Sequence, residues 1–230
     1  MRVVEDDRMK GVYWVERGEG RRSLATRNLA PGIRVYGEEL IKVGDEEYRV
    51  WDPYRSKLAG AILKGVDASA IRPGARVLYL GASTGTTVSH VSDIVGEEGI
   101  VFSVEVASRV MREFVDRVAN HRANVVPLLF DARHPEIYRD SVGSVDVVYC
   151  DIAQPDETEI AVDNCRHMLR SGGVLFIAVK ARSIDATRRP EEIFREEEEK
   201  LREEDFEVLD VKHLYPFDKD HAMIVARFRG

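Results

Sequence analysis

Val77-Leu78-Tyr79-Leu80-Gly81-Ala82-Ser83-Thr84-Gly85-Thr86-Thr87 is an apolar run that ends in a glycine-punctuated turn and reopens as a helix. Val77 to Leu80 are bulky and apolar without alternation, the pattern of a strand covered on both faces in a parallel sheet. Gly81 and Gly85 are positions where the backbone can turn sharply or approach a ligand closely, and Thr86 and Thr87 are suited to capping the helix that runs through Val88 and Val91. A helix start offers unpaired N–H groups and a positive dipole end, so this loop is a natural seat for a small polar ligand. The spacing departs from the dinucleotide G-x-G-x-x-G, because Ser83 stands where the second glycine belongs. Taken alone, the loop also reads as a bare strand-to-helix turn. The next strand, Ile100 to Val104, ends in Glu105, and an acid at the tip of the second strand is where an α/β domain hydrogen-bonds a ribose diol.

Working outward, each later apolar run ends at the same sheet edge in a polar residue. Asn124 to Phe130 ends in Asp131, Val145 to Cys150 in Asp151, and Val174 to Val179 in Lys180. Carboxyl ends of strands are where open α/β sheets bind ligands, although Asp131 and Asp151 can equally be helix N-caps. Between them the spacing predicts helices carrying Val110, Met111, Phe114, Val115 and Val118 on one buried stripe, and another over Glu159 to Leu169 stopped by Ser171-Gly172-Gly173. A polar segment, Ala181 to Pro190, reads as an exposed loop, followed by a charged helix from Glu191 to Glu204. Phe206 to His213 and Ala222 to Phe228 are two β runs too close together for a helical crossover, so they should pair antiparallel.

Upstream of the central strand the pattern changes. Val12–Val15, Ser23–Thr26, Leu40–Val43 and Tyr48–Trp51 are short β runs, with a hairpin turn at Gly44-Asp45. Residues 1–52 are therefore expected to form a small antiparallel β domain and residues 53–230 the α/β domain. Arg17, Arg21, Arg22 and Arg27 gather around the first hairpin, as a solvated loop or as a surface for RNA or a partner. Pro53 is expected to open a helix with Leu58, Ala61 and Ile62 on its buried face and Lys57 in its first half.

The chain of 230 residues is 44% hydrophobic and 33% charged, with a net charge of −7. No apolar run approaches the roughly 20 residues that span a bilayer, and the N-terminus has no signal-peptide core, so a cytoplasmic protein without membrane contact is expected. Cys150 and Cys165 lack metal-site spacing and read as buried reduced thiols, with no structural metal. A net negative chain has no global basic footprint for nucleic acid, so an RNA substrate would need a local basic face or a partner to hold it.

Five strand–helix units closed by an antiparallel pair resemble the Class I S-adenosylmethionine-dependent methyltransferase fold: a Rossmann-like, seven-stranded sheet with an antiparallel last hairpin, here with a small N-terminal antiparallel β domain. The glycine loop, Asp151-Ile152-Ala153-Gln154-Pro155, Lys180-Ala181-Arg182-Ser183-Ile184-Asp185 and Pro216-Phe217-Asp218-Lys219-Asp220-His221 together resemble the archaeal fibrillarin family over nearly the whole chain. That resemblance implies guide-directed ribose 2′-O-methylation of rRNA and tRNA. It places contacts to S-adenosylmethionine on Gly81, Ala82, Thr86, Thr87, Glu105, Val106, Asp131, Ala132, Asp151, Ile152, Ala153 and Gln154. It also implies a catalytic set of Lys57, Asp151, Lys180 and His221, with no metal.

In the expected division of labour Lys180, oriented by Asp151, takes the ribose proton while Lys57 holds the ribose or a neighbouring phosphate. His221 also reads as a histidine satisfied by the Lys219-Asp220 turn. The family's partners are a Nop-type scaffold protein, a kink-turn-binding ribosomal-like protein and a box C/D guide RNA, and self-association through the N-terminal sheet is left open. Tyr79 stands where many methyltransferases carry an acid, which the fibrillarin pattern does not require. A protein glutamine methyltransferase and a non-catalytic scaffold are the alternatives.

Overall fold

The computed structural model describes residues 1–230, apart from the side chain of Glu19. Five parallel strands form the heart of the larger sheet: β6 (Arg76–Leu80), β7 (Ile100–Val104), β8 (Val125–Leu128), β9 (Val145–Cys150) and β10 (Leu169–Lys180). With β11 (Phe206–His213) and β12 (His221–Phe228) they run in the order β11-β12-β10-β9-β6-β7-β8, and β12 is antiparallel to both of its neighbours. The run from Val77 to Leu80 is buried between two helical layers, as its lack of alternation requires: Val77 and Tyr79 point into one core cluster, Leu78 and Leu80 into the other.

The first layer includes α1 (Lys57–Leu63), α2 (Thr86–Val95) and α3 (Ser108–Arg117); the second includes α4 (Pro135–Val142), α5 (Glu157–Met168) and α7 (Pro190–Glu203). Several boundaries differ from the sequence reading. Pro53 does not open α1; Ser56 is its N-cap, its hydroxyl accepting from the Ala59 N–H, because Asp52 to Arg55 are occupied by a turn. Thr86 and Thr87 lie inside the first turn of α2, and the cap position belongs to Gly85 in a left-handed conformation. Ser171 to Gly173 do not separate helix from strand, since β10 already starts at Leu169 and reaches its main register through a bulge. The segment after Lys180 begins with one helical turn, α6 (Ala181–Ile184).

The N-terminal sheet has five strands rather than the four expected, in the order β1-β2-β3-β5-β4, all antiparallel: β1 (Arg2–Glu5), β2 (Val12–Glu16), β3 (Arg22–Arg27), β4 (Leu40–Val43) and β5 (Glu46–Val50). β1 carries little strand signal in the sequence, because only two of its four residues are apolar.

This sheet is locked to α2 by a buried polar cluster. The fully buried Arg49 guanidinium donates to Glu38 Oε1 at 2.7 Å, to Asp93 Oδ2 at 2.8 Å and to Ser89 Oγ at 2.9 Å. Arg122 closes on the other oxygen of Asp93. His90 lies between Thr26 and Tyr36, with Trp51 stacked on its ring at 4.8 Å. Burial, with Arg49 and Arg122 nearby, pushes the His90 pKa well down, so the ring is neutral. Because Thr26 donates to Asp93, it accepts from His90 Nδ1–H, leaving Nε2 to accept from Tyr36. The helix that carries the glycine loop at its N-terminus is thus held from behind by the N-terminal sheet.

Candidate active site

At the carboxyl rim of β6, Gly81 has φ +83° and a Cβ added there would lie 2.3 Å from the Asp151 carbonyl oxygen, so only glycine lets these loops meet. Gly85, at φ +91°, is equally restricted by Val118 Cγ2 at 2.5 Å. The helix that follows leaves the N–H groups of Thr86, Thr87 and Val88 without intrahelical acceptors. Glu105 faces this loop: its Oε2 accepts from the Ser83 N–H at 3.0 Å and its Oε1 from the Ala107 N–H at 2.9 Å. Each oxygen keeps a lone pair for a diol.

Beside it, one cleft collects Gly81, Glu105, Val106, Asp131, Ala132 and Ile152, with Gln154 also on its wall. Val106 is 64% exposed and Phe130 36% exposed, leaving apolar surface open at the mouth. An acid placed for a ribose, apolar faces for a purine and unpaired amides for a carboxylate fit an adenosyl amino acid such as S-adenosylmethionine. Phe130 and Arg133 also line this cleft and were missed in the sequence. Arg133 spans its edge, donating to Gln154 Oε1 at 3.0 Å and to Asp156 Oδ1 at 2.7 Å. Its place one residue beyond the Asp131-Ala132 pair was the only sequence signal.

The four residues singled out as catalytic converge next to this cleft. Lys57 Nζ, at the first position of α1, lies 2.9 Å from Asp151 Oδ1 and 3.0 Å from Oδ2. In the antiparallel pair, Lys180 at the end of β10 stands directly opposite His221 at the start of β12. Strand alternation puts Asp151, Lys180 and His221 on the same sheet face as Tyr149, Ala178 and Met223, the face that α1 covers.

Two details differ from the expectation. Asp151 is paired with Lys57 rather than with Lys180, whose ammonium has no carboxylate partner among the described residues. The acid that holds His221 is Asp218, with Oδ1 at 2.5 Å from Nδ1, and not a Lys219-Asp220 turn; Asp220 instead binds Arg182. Burial acts to raise the Asp218 pKa, but the His221 hydrogen bond and the charges of His221 and Lys57 outweigh it and hold the carboxyl below its usual range. Lys57 therefore sits between two acids. Asp218 could not be chosen over Asp220 from spacing, since both lie within three residues of the histidine.

Under the rim is a group the sequence did not flag. Glu157, fully buried at the start of α5, accepts the Lys180 N–H on Oε1 at 2.9 Å, and its Oε2 has no partner among the described residues. Burial pushes its pKa up to about 8, with Asp151 and Glu197 adding to the shift while the Lys180 amide and Lys57 oppose it. Tyr79, at the position where an acid was considered, is buried, stacks on Tyr149 at 4.6 Å and faces Thr87. Thr87 in turn meets Ser56 at 2.9 Å, connecting the glycine loop to the start of α1. Cys150 and Cys165 are both buried free thiols.

The strand order with its antiparallel last hairpin, and a glycine loop facing acids at the second and third strand tips, define the Class I, Rossmann-like methyltransferase architecture. A family model described as Fibrillarin matches residues 3–230. Over 227 residues the chain is 55% identical to a fibrillarin-like rRNA/tRNA 2′-O-methyltransferase of Staphylothermus marinus, covering 99% of this chain and 97% of the relative. The chain belongs to the fibrillarin family. It superimposes on the crystal structure of Aeropyrum pernix fibrillarin with natively bound S-adenosyl-L-methionine at TM-score 0.91 and 50% identity, covering 98% of each chain. Against a fibrillarin in complex with Nop5p the TM-score is 0.85 at 40% identity, covering 96% of this chain and 99% of that one.

Proposed function

We propose that this chain is the catalytic subunit of a box C/D ribonucleoprotein, transferring a methyl group from S-adenosylmethionine to ribose 2′-hydroxyls of rRNA and tRNA. The observation that carries this reading is the Lys57–Asp151 pair beside Lys180 and His221, on one sheet face and next to the cleft that suits the donor. The donor supplies an electrophilic methyl on a sulfonium, which leaves as a neutral thioether. What the protein must add is in-line placement of the 2′-oxygen and an acceptor for its proton.

Asp151 fills the second role best: Lys57 aims its carboxylate, and the carboxylate takes the hydrogen of the hydroxyl as the new C–O bond forms. Lys180, without a carboxylate partner among the described residues, meets the charge that grows on the attacking oxygen or a neighbouring phosphate. His221, held by Asp218, is the wall opposite Lys180. Glu105, Val106, Asp131, Ala132 and Ile152 to Gln154 serve the adenosine, while Gly81, Ala82, Thr86 and Thr87 serve the amino-acid end. The chain divides functionally after residue 52, the N-terminal sheet bracing the methyltransferase domain.

A net charge of −7 leaves too little basic surface for the chain to grip RNA alone. A Nop-type protein, as in the fibrillarin/Nop5p complex, a kink-turn-binding protein and the guide RNA would bring the substrate, in the cytoplasm. The test is reconstitution with one guide RNA and each component left out in turn, with methylation located by mass spectrometry of RNA and peptide digests. Methylation is expected at the paired ribose only in the full assembly, and to fall at least ~100-fold with Lys180→Ala while calorimetric donor binding holds. Site-specific methylation by the lone chain, methyl groups only on peptide, or full activity in the variant would refute the assignment.

A further inference from the structure

A second cleft, of about 490 Å³, lies between the N-terminal sheet, the turn at residues 52–55 and Leu63 at the end of α1. Arg22, Tyr36, Trp51, Tyr54, Arg55 and Leu63 are on its walls. Many cations of this chain are neutralised; among them Arg17, Arg27, Arg117, Arg133, Arg166, Arg170, Arg188, Arg189, Arg202 and Lys200 each meet a carboxylate. Arg22 and Arg55 meet none among the described residues; both are exposed and lie against aromatic rings instead. The Arg22 guanidinium is 4.1 Å from the Trp14 ring centre and that of Arg55 is 6.0 Å from Tyr36. Of the acids on the same walls, Glu38 is taken by Arg49 and Glu39 by Arg17, leaving Asp52, whose Oδ1 accepts the Tyr54 N–H. The cleft is therefore locally positive in an acidic protein.

It borders the candidate active site through one aromatic contact and through the chain that runs from Arg55 into α1. Tyr54, 67% exposed, forms part of the cleft and packs edge-on against Phe217 at 5.3 Å, the neighbour of Asp218. The residues that follow Arg55 are Ser56, which touches Thr87, and Lys57, which touches Asp151. Arg55 lies two residues before Lys57 in the chain and shares the cleft with Tyr54 and Arg22, so a polymer whose reacting sugar lies at Lys57 and Asp151 would meet the Tyr54–Phe217 pair and then these guanidinium groups. Two exposed guanidinium groups without carboxylate partners among the described residues, flanking one exposed aromatic ring, Tyr54, are the chemistry that meets a nucleic-acid backbone.

We infer that this cleft is a phosphodiester subsite for the RNA strand on one side of the target ribose, with Arg22 and Arg55 meeting backbone phosphates and Tyr54 packing against the intervening sugar. The inference rests on the RNA methyl-transfer reading above and adds to it a local grip that the net charge conceals.

The test uses the full chain assembled with its scaffold protein, kink-turn binder and guide RNA, and a target strand complementary to the guide. Arg22→Gln and Arg55→Gln are expected each to raise KM for the target several-fold with kcat within about twofold. Together they should lower the dependence of log affinity on log salt by about one per charge removed. Arg55→Lys should restore most of the loss, because a phosphate accepts a point charge. Donor binding, and the control Arg195→Gln on α7, should be unchanged. With the wild-type assembly active, an unaltered KM and salt slope in the double variant overturns the subsite. So does a loss confined to binding of the scaffold protein, which would make the cleft a protein interface. An inactive wild-type assembly would instead count against the methyl-transfer reading itself.

Discussion

Replacing Glu157 by glutamine should make the protein more stable at neutral and alkaline pH, with a pH profile set by one buried carboxyl. Glu157 is fully buried, with one oxygen on the Lys180 amide and the other without a partner, and its pKa is raised from 4.5 to about 8, chiefly by burial. In the unfolded chain the group loses its proton near 4.5, whereas in the fold it keeps it until about 8. Between those values the native state binds more protons than the unfolded state, so stability falls as pH rises, and the loss is complete above the folded value. At about 1.4 kcal/mol per pH unit, the span amounts to about 5 kcal/mol. Glutamine does not titrate, and its amide oxygen can still accept the Lys180 N–H.

The variant's stability relative to wild type should therefore climb from pH 5, pass about 3 kcal/mol at pH 7 and level off above pH 8. Urea unfolding of both proteins at pH 5, 7 and 9, without donor, measures it. Curves that stay within about 1 kcal/mol of a constant offset would refute the reasoning. So would a relative gain for the variant that shrinks as pH rises.

Gly81→Ala should abolish donor binding by calorimetry, because the new methyl would lie 2.3 Å from the Asp151 carbonyl at a φ that alanine avoids; retained affinity would show that the loop yields more easily than its contacts suggest. Arg49→Ala removes the cation shared by Glu38 and Asp93, each almost completely buried, and should cost about 3–5 kcal/mol in denaturant unfolding; a loss below about 1 kcal/mol would mean that Arg122 and local amides suffice.

Much of this architecture was legible along the chain. Buried parallel strands announce themselves as unbroken apolar runs, so the positions of β6 to β10 along the chain and the acids or lysine at their tips could be read directly. The last two strands were legible because the stretch between them is too short for a crossover. Local features governed by hydrogen-bond competition were read less well. Thr86 and Thr87 looked like caps, but the left-handed Gly85 occupies the cap position. Pro53 looked like a helix start, but the turn held by Asp52 delays α1 to Ser56.

The sequence by itself determined which residue types reach the carboxyl rim, because strand periodicity and chain direction dictate what emerges at each strand tip. Only the tertiary structure decided how they pair, since partner choice depends on positions set by elements far apart in the chain. Lys57 and Asp151 meet across α1 and β9, His221 takes Asp218 rather than Asp220, and Glu157 ends beneath Lys180 with an oxygen unpaired. Burial is likewise a property of the packed molecule: the same glutamate on an exposed helix start would be an ordinary charge, and here it holds its proton because water has been removed from around it.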